Sequence, residues 1–174
     1  MRKGKYLIGV MTVMVCLVLG VYAFALMNED ILTHKSCGQC GMDRGAFDFS
    51  RMLIEYEDGS ISAVCSLHCA SVDMANNIDK TPKAIRVGDF NGKQLIDAEK
   101  AFWVIGGKKP GVMSKRGKWA FENKEAAEAF IKTNDGKAAS FEEAIKTAYE
   151  DMYEDTRMIR EKRKMKRMKM EQKS

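Results

Sequence analysis

The sequence predicts an α+β fold: two tandem ββαβ units after an N-terminal hydrophobic segment, closed by a C-terminal helix. Three observations carry this expectation. Alternating apolar runs flank Asp58-Gly59, which is a hairpin signal. The order strand, strand, helix, strand that starts there comes round again between Ala101 and Ala139. A capping box, Ser140-Phe141-Glu142-Glu143, then opens a last helix.

The elements follow in chain order. Arg2, Lys3 and Lys5 precede 22 uncharged residues, Tyr6–Met27. A basic flank before a long apolar run marks residues 1–27 as a signal peptide or membrane anchor. The run is long enough to cross a bilayer as a helix and exceeds the apolar core of about 7–15 residues usual in a cleaved signal. That length favours a retained anchor, although Ala23-Phe24-Ala25 offers a small-x-small cleavage site. Cys16 follows Val13-Met14-Val15, without the small residues of a lipoprotein signal. The basic end should stay cytoplasmic. The rest is therefore expected on the periplasmic side of the inner membrane, or free in the periplasm if the leader is cleaved.

Residues 28–36 read as a polar linker. The first ββαβ unit, 37–92, begins with a thiol- and Gly-rich knuckle and continues with strands over Phe49–Tyr56 and Ser60–Val64. A helix over Ser66–Asn77 and a short strand at Ala84–Val87 complete it. The second unit and its helix occupy 93–155: strands at Ala101–Ile105 and Lys118–Phe121, a helix capped by Asn123, and a strand at Lys137–Ala139. Phe141, Ile145, Ala148, Tyr149 and Met152 then share one helical face. Residues 156–174 form a basic, Met-rich tail, read as a frayed, solvated extension of that helix.

The net charge of +5 hides a segregation. Residues 157–174 hold nine Lys/Arg against two Glu, whereas 28–156 hold 17 basic and 22 acidic side chains. A nucleic-acid partner needs a basic patch on the fold itself, so that class is excluded. Hydrolytic signatures are also missing: no Gly-x-Ser-x-Gly, no His-Glu-x-x-His, no phosphate loop. The only histidines, His34 and His68, lie beside thiols, which leaves no separate acid–base centre. The protein is not expected to be an enzyme.

Chemistry concentrates in Cys37-x-x-Cys40-Gly41-Met42 and, with 24 residues between Cys40 and Cys65, in Cys65-x-x-His68-Cys69. One knuckle before a hairpin and a second entering a helix can converge four thiolates on a metal. The helix N-terminus beside Cys65 is expected to lower thiol pKa and favour the thiolate. In an oxidising compartment, structural disulfides are the rival reading. His68 is a candidate fifth ligand. Met42 and Met113 point to the metal, because thioethers and thiolates suit Cu(I) whereas thioethers bind zinc poorly. Cu(I) is therefore the expected ion and Zn(II) the alternative. The metal residues are then Cys37, Cys40, Met42, Cys65, His68, Cys69 and Met113. Two other classes stay open: a structural zinc or heavy-metal knuckle, and a dithiol redox or organometal enzyme built on Cys37 and Cys40. Against the latter, this Cys-x-x-Cys precedes a hairpin rather than opening a helix after a strand.

These residues resemble the NosL family. The resemblance rests on Cys37-Gly-Gln-Cys40-Gly41-Met42, the strand–turn–strand into Cys65-Ser66-Leu67-His68, and Lys93-Gln-Leu-Ile96-Asp97-Ala98. It extends through Ala101-Phe-Trp103-Val-Ile105-Gly-Gly107 and Ala120-Phe121…Ala126-Ala-Glu-Ala129-Phe130, about residues 34–153 in all. It implies a two-unit ββαβ fold related to that of the organomercurial lyase MerB, without the lyase chemistry. It also implies a membrane-tethered Cu(I) carrier on the periplasmic side, whose partner is an apo-cuproenzyme or another copper carrier, with nitrous-oxide reductase as the client. By position the family's Cys-Gly-Met motif falls on Cys40-Gly41-Met42, and its Pro-Met-Gly-like loop falls on Pro110–Met113. There the Pro is displaced, and Ser114 stands where the Gly would follow.

Overall fold

The computed structural model describes residues 29–172. The hydrophobic segment 1–27 lies outside the described residues. Among the described residues no helix is long and apolar enough to cross a membrane.

The chain runs α1 (Glu29–Thr33), β1 (Met52–Tyr56), β2 (Ile61–Val64), α2 (Leu67–Asn76), β3 (Pro82–Gly88) and β4 (Leu95–Asp97). It continues with β5 (Phe102–Ile105), β6 (Lys118–Phe121), α3 (Lys124–Asn134), β7 (Lys137–Ala139) and α4 (Phe141–Glu171). Two antiparallel sheets result, ordered β2-β1-β3-β4 and β6-β5-β7. This is the mixed α+β architecture the sequence predicts, with β1-β2-α2-β3 and β5-β6-α3-β7 as its two units.

The local chemistry explains the elements. Gly59 takes φ +80°, and the Ser60 N–H donates to Asp58 Oδ1 at 2.8 Å, which closes the β1–β2 turn. β1 is the central strand of its sheet and buries Met52, Leu53, Ile54 and Tyr56. Leu67, Cys69 and Ala70 of α2 join that core, and Ala144 and Ala148 of α4 close it from the other side. Burial of a side chain such as Ile54 contributes about 1.5–3 kcal/mol. A second core gathers Val104, Trp119 and Phe121 under Ala127 and Phe130 of α3. Phe49 and Phe90 pack against it, with Phe90 edge-on to Trp119 at 5.4 Å. Asp89 sews the two units together: its Oδ1 accepts the Glu122 N–H at 2.8 Å, and the neighbouring Phe90 N–H donates to the Ala120 carbonyl at 2.8 Å.

Three features depart from the sequence reading. β4 was not expected. Three residues are too few to show a period, yet Ile96 pairs with Val87, so the first sheet extends beyond residue 92. The linker begins with a helical turn, α1, held by the buried side chains of Arg44 and Arg51 through Asp30. The tail does not fray: α4 is one helix of 31 residues. Lys, Arg, Met and Glu are good helix formers, and the capping box at Ser140 and Glu143 is present as predicted.

Candidate metal centre

The first knuckle is a tight reverse loop. The Cys37 N–H donates to the Met42 carbonyl at 2.8 Å, and the Gly41 N–H donates to the Cys37 carbonyl at 2.9 Å. Gly41 sits at φ +74°, in the left-handed region that a side chain disfavours. This turn aims both sulfurs the same way and brings backbone donors to them: Cys37 Sγ accepts from the Cys40 N–H, and Cys40 Sγ accepts from the Met42 N–H. The Gly38 N–H donates to the Ala63 carbonyl at 3.0 Å, which docks the knuckle on β2. Cys65 follows β2 directly, and Cys69 lies on the first turn of α2.

The four sulfurs converge, all within 4.8 Å of one another. Cys40 Sγ is 3.5 Å from Cys65 Sγ, and Cys65 Sγ is 3.7 Å from Cys69 Sγ. All four are free thiols, so the disulfide reading is not what the structure shows. A tetrahedral metal with metal–sulfur bonds of about 2.3 Å sets its sulfurs about 3.8 Å apart, so the cluster fits an ion with little movement. Cys37, Cys65 and Cys69 are buried, and Cys40 is half-buried at the rim.

Charge within the cluster is unequal. Hydrogen bonds from the Cys40, Cys65 and Cys69 thiols hold Cys37 far below the ordinary thiol range. Cys40 is pushed up by its bond with Cys37 but pulled down by those from Cys65 and Cys69, and lies at about 7. Cys65 and Cys69 are pushed up, first by their bonds to Cys37. The lowering of Cys65 expected from the helix N-terminus is therefore not met, and its thiol lies above the ordinary range. The Arg44 guanidinium, wholly buried, adds a positive charge whose field favours the Cys37 thiolate.

His68 goes elsewhere. Cys65 and Cys69 contribute to the converging sulfurs, and His68 lies outside that group of four. The buried ring places Nδ1 3.6 Å from Asp155 Oδ2 of α4, a contact between helices. Nearby, Lys118 Nζ meets Ser114 Oγ at 3.0 Å and Asp151 Oδ2 at 2.8 Å. Met42 and Met113 share one cleft, of 470 Å³, and both pack on the core that holds the thiols. Met113 takes φ +58°, a conformation a non-glycine residue holds only at a cost. Arg44 and Asp155 were not singled out from the sequence; an Arg two residues beyond Met42 and an Asp on a polar helical stretch carry no signal until the fold buries them.

A family model, NosL, matches residues 28–149. No curated protein matches the chain. Among solved structures, the crystal structure of the copper chaperone NosL from Shewanella denitrificans is similar in fold. It has 24% sequence identity and a TM-score of 0.52, over 63% of this chain and 89% of that one.

Proposed function

This chain belongs to the NosL family, and on that premise we propose that it is an exported, membrane-associated accessory protein that binds Cu(I) and delivers it to a cuproenzyme, nitrous-oxide reductase being the client the family suggests. The observation that carries the reading is the cluster Cys37, Cys40, Cys65 and Cys69, with Met42 and Met113 in the wall of the cleft beside it. Thiolates and thioethers are the soft donors that select Cu(I). The half-buried Cys40 is where a partner's ligands gain access, since stepwise ligand exchange needs a sulfur that solvent and partner can reach. The backbone N–H groups of Cys40 and Met42, and the Arg44 charge, favour the thiolate forms of Cys37 and Cys40 that a metal needs. Membrane attachment rests on the apolar run Tyr6–Met27, and the periplasmic side on its basic flank.

A second reading has its own support. Four mostly buried sulfurs at near-tetrahedral spacing also suit Zn(II) held structurally. The deciding experiment is anaerobic competition of Cu(I) and Zn(II) for the reduced full chain in detergent, beside Met42→Leu and Met113→Leu. Preferred Cu(I) retention that weakens in either variant supports delivery of copper. Zinc retention that equals or exceeds that of copper, unchanged in both variants, overturns it.

A further inference from the structure

We propose that the cleft beside Cys40 docks an acidic segment with one apolar anchor side chain, belonging to the protein that receives the metal. The identity of that protein as the receiver rests on the copper-delivery reading above.

The walls and the rim of the cleft differ in chemistry. Met42, Val112, Met113, Trp119, Met158 and Ile159 line it with apolar groups, and its volume is 470 Å³. Lys109, Lys162 and Arg163 stand at its edge, exposed. An apolar hollow with a cationic rim recognises an apolar side chain flanked by carboxylates.

Its position ties it to the cargo. Met42 is two residues from Cys40, and Arg163 Nη2 donates to the Cys40 carbonyl at 3.4 Å. A segment seated there lies beside the stretch that carries Cys40, the most accessible of the four thiols. The charge distribution gives the direction. Residues 28–156 carry 22 acidic against 17 basic side chains and repel an acidic partner, whereas 157–174 carry nine basic against two acidic. Because α4 runs past the cleft, it brings that basic segment to this one face and steers the partner to it. The concavity argues for an inserted side chain over a flat lipid surface, since Met158 and Ile159 are turned into the cleft and half-buried.

The test uses the full chain in neutral phosphatidylcholine nanodiscs and a short fluorescent peptide of Asp and Glu with one central Met. Anisotropy should show binding that weakens as salt is raised. The triple variant Lys109→Glu, Lys162→Glu, Arg163→Glu should weaken it by at least about tenfold, as should Met158→Glu alone. A peptide with Ser for Met should bind weakly. Equal binding by the charge-reversed protein, or by the Ser peptide, overturns the proposal. So does loss of peptide binding when phosphatidylglycerol replaces phosphatidylcholine, which makes lipid the occupant, or self-association that charge reversal abolishes, which makes it a second copy. Cu(I) retention against a chelator is read on the same samples. Retention unchanged in the triple variant supports a docking role. A wild-type chain that binds the peptide but does not retain Cu(I) refutes the copper reading and leaves the docking surface standing.

Discussion

Asp30 Oδ2 lies 2.6 Å from Nη2 of Arg44, and the same oxygen accepts from Nε of Arg51 at 2.9 Å. One carboxylate from α1 thus pairs with two guanidinium groups that are both fully buried. Arg44 also donates to the carbonyls of His34, Val64 and Met52, which holds the knuckle, β2 and β1 in register. The four-thiol geometry depends on this hub.

Asp30→Ala should therefore destabilise the fold by about 3–5 kcal/mol, because two buried cations lose the carboxylate they share. Urea unfolding of the reduced protein measures it. The pH dependence has a defined sign. Burial pushes the Asp30 carboxyl up, but the bonds and charges of Arg51 and Arg44 outweigh it, and its pKa falls below 3.8. A depressed carboxylate adds stability that is fully present above the ordinary value and is lost as pH falls through the depressed one. Wild-type stability should accordingly drop below pH 3.8 more steeply than that of the Asp30→Asn variant.

Metal should protect the thiols and stabilise the fold together, since Cys37, Cys65 and Cys69 belong to the main hydrophobic core. In native protein loaded with Cu(I) under anaerobic conditions, a thiol reagent should count four fewer sulfhydryls than in the chelated, denatured protein. Excess free metal at about a thousand times its dissociation constant should add roughly 4 kcal/mol to unfolding. Cys65→Ser should abolish most of that gain. A gain that persists in Cys65→Ser would place the ion outside this cluster.

His68 distinguishes ligand from scaffold. His68→Gln should leave metal stoichiometry and the Cu(I) charge-transfer absorption unchanged, yet lower stability by about 1–3 kcal/mol, because Asp155 would lose its buried neighbour. Asp155 Oδ1 accepts the Lys115 N–H at 2.9 Å, so the loss propagates to the loop that carries Met113. A fall in metal affinity as large as that of a cysteine variant would return His68 to the ligand set.

Most of the fold was legible because local signals and tertiary structure agree. The Asp58-Gly59 turn, the Asn123 cap and the Ser140 capping box each act within a few residues, and all form. The thiol cluster was legible for the same reason, since the spacing within each Cys pair is a local property. What escaped was long-range. The side of α2 that His68 faces depends on where α4 packs, and the partners of Arg44 lie on α1, β1 and β2. The two-residue shift between Met42 and Arg44 separates a half-buried methionine from a fully buried charge, and nothing in that stretch alone says which is which.

Gly88 offers the last test, of how the knuckle is supported from below. A Cβ built there would collide with the Asp48 carbonyl, and the Gly88 N–H already donates to the Arg51 carbonyl at 2.8 Å. The end of β3 is thereby pressed against the 48–51 loop, whose Ser50 hydroxyl donates to the Cys65 carbonyl at 2.9 Å. Backbone has no rotamer by which to yield, so Gly88→Ala must move this loop and Cys65 with it. The expected cost is about 1–3 kcal/mol, with weaker metal retention although no ligand is altered. Ser50→Ala separates the two effects: it removes the link to Cys65 without crowding β3. It should reduce metal retention less than Gly88→Ala and cost about 1 kcal/mol of stability. Metal retention in Gly88→Ala equal to wild type would show that the thiols are held by the knuckle and α2 alone.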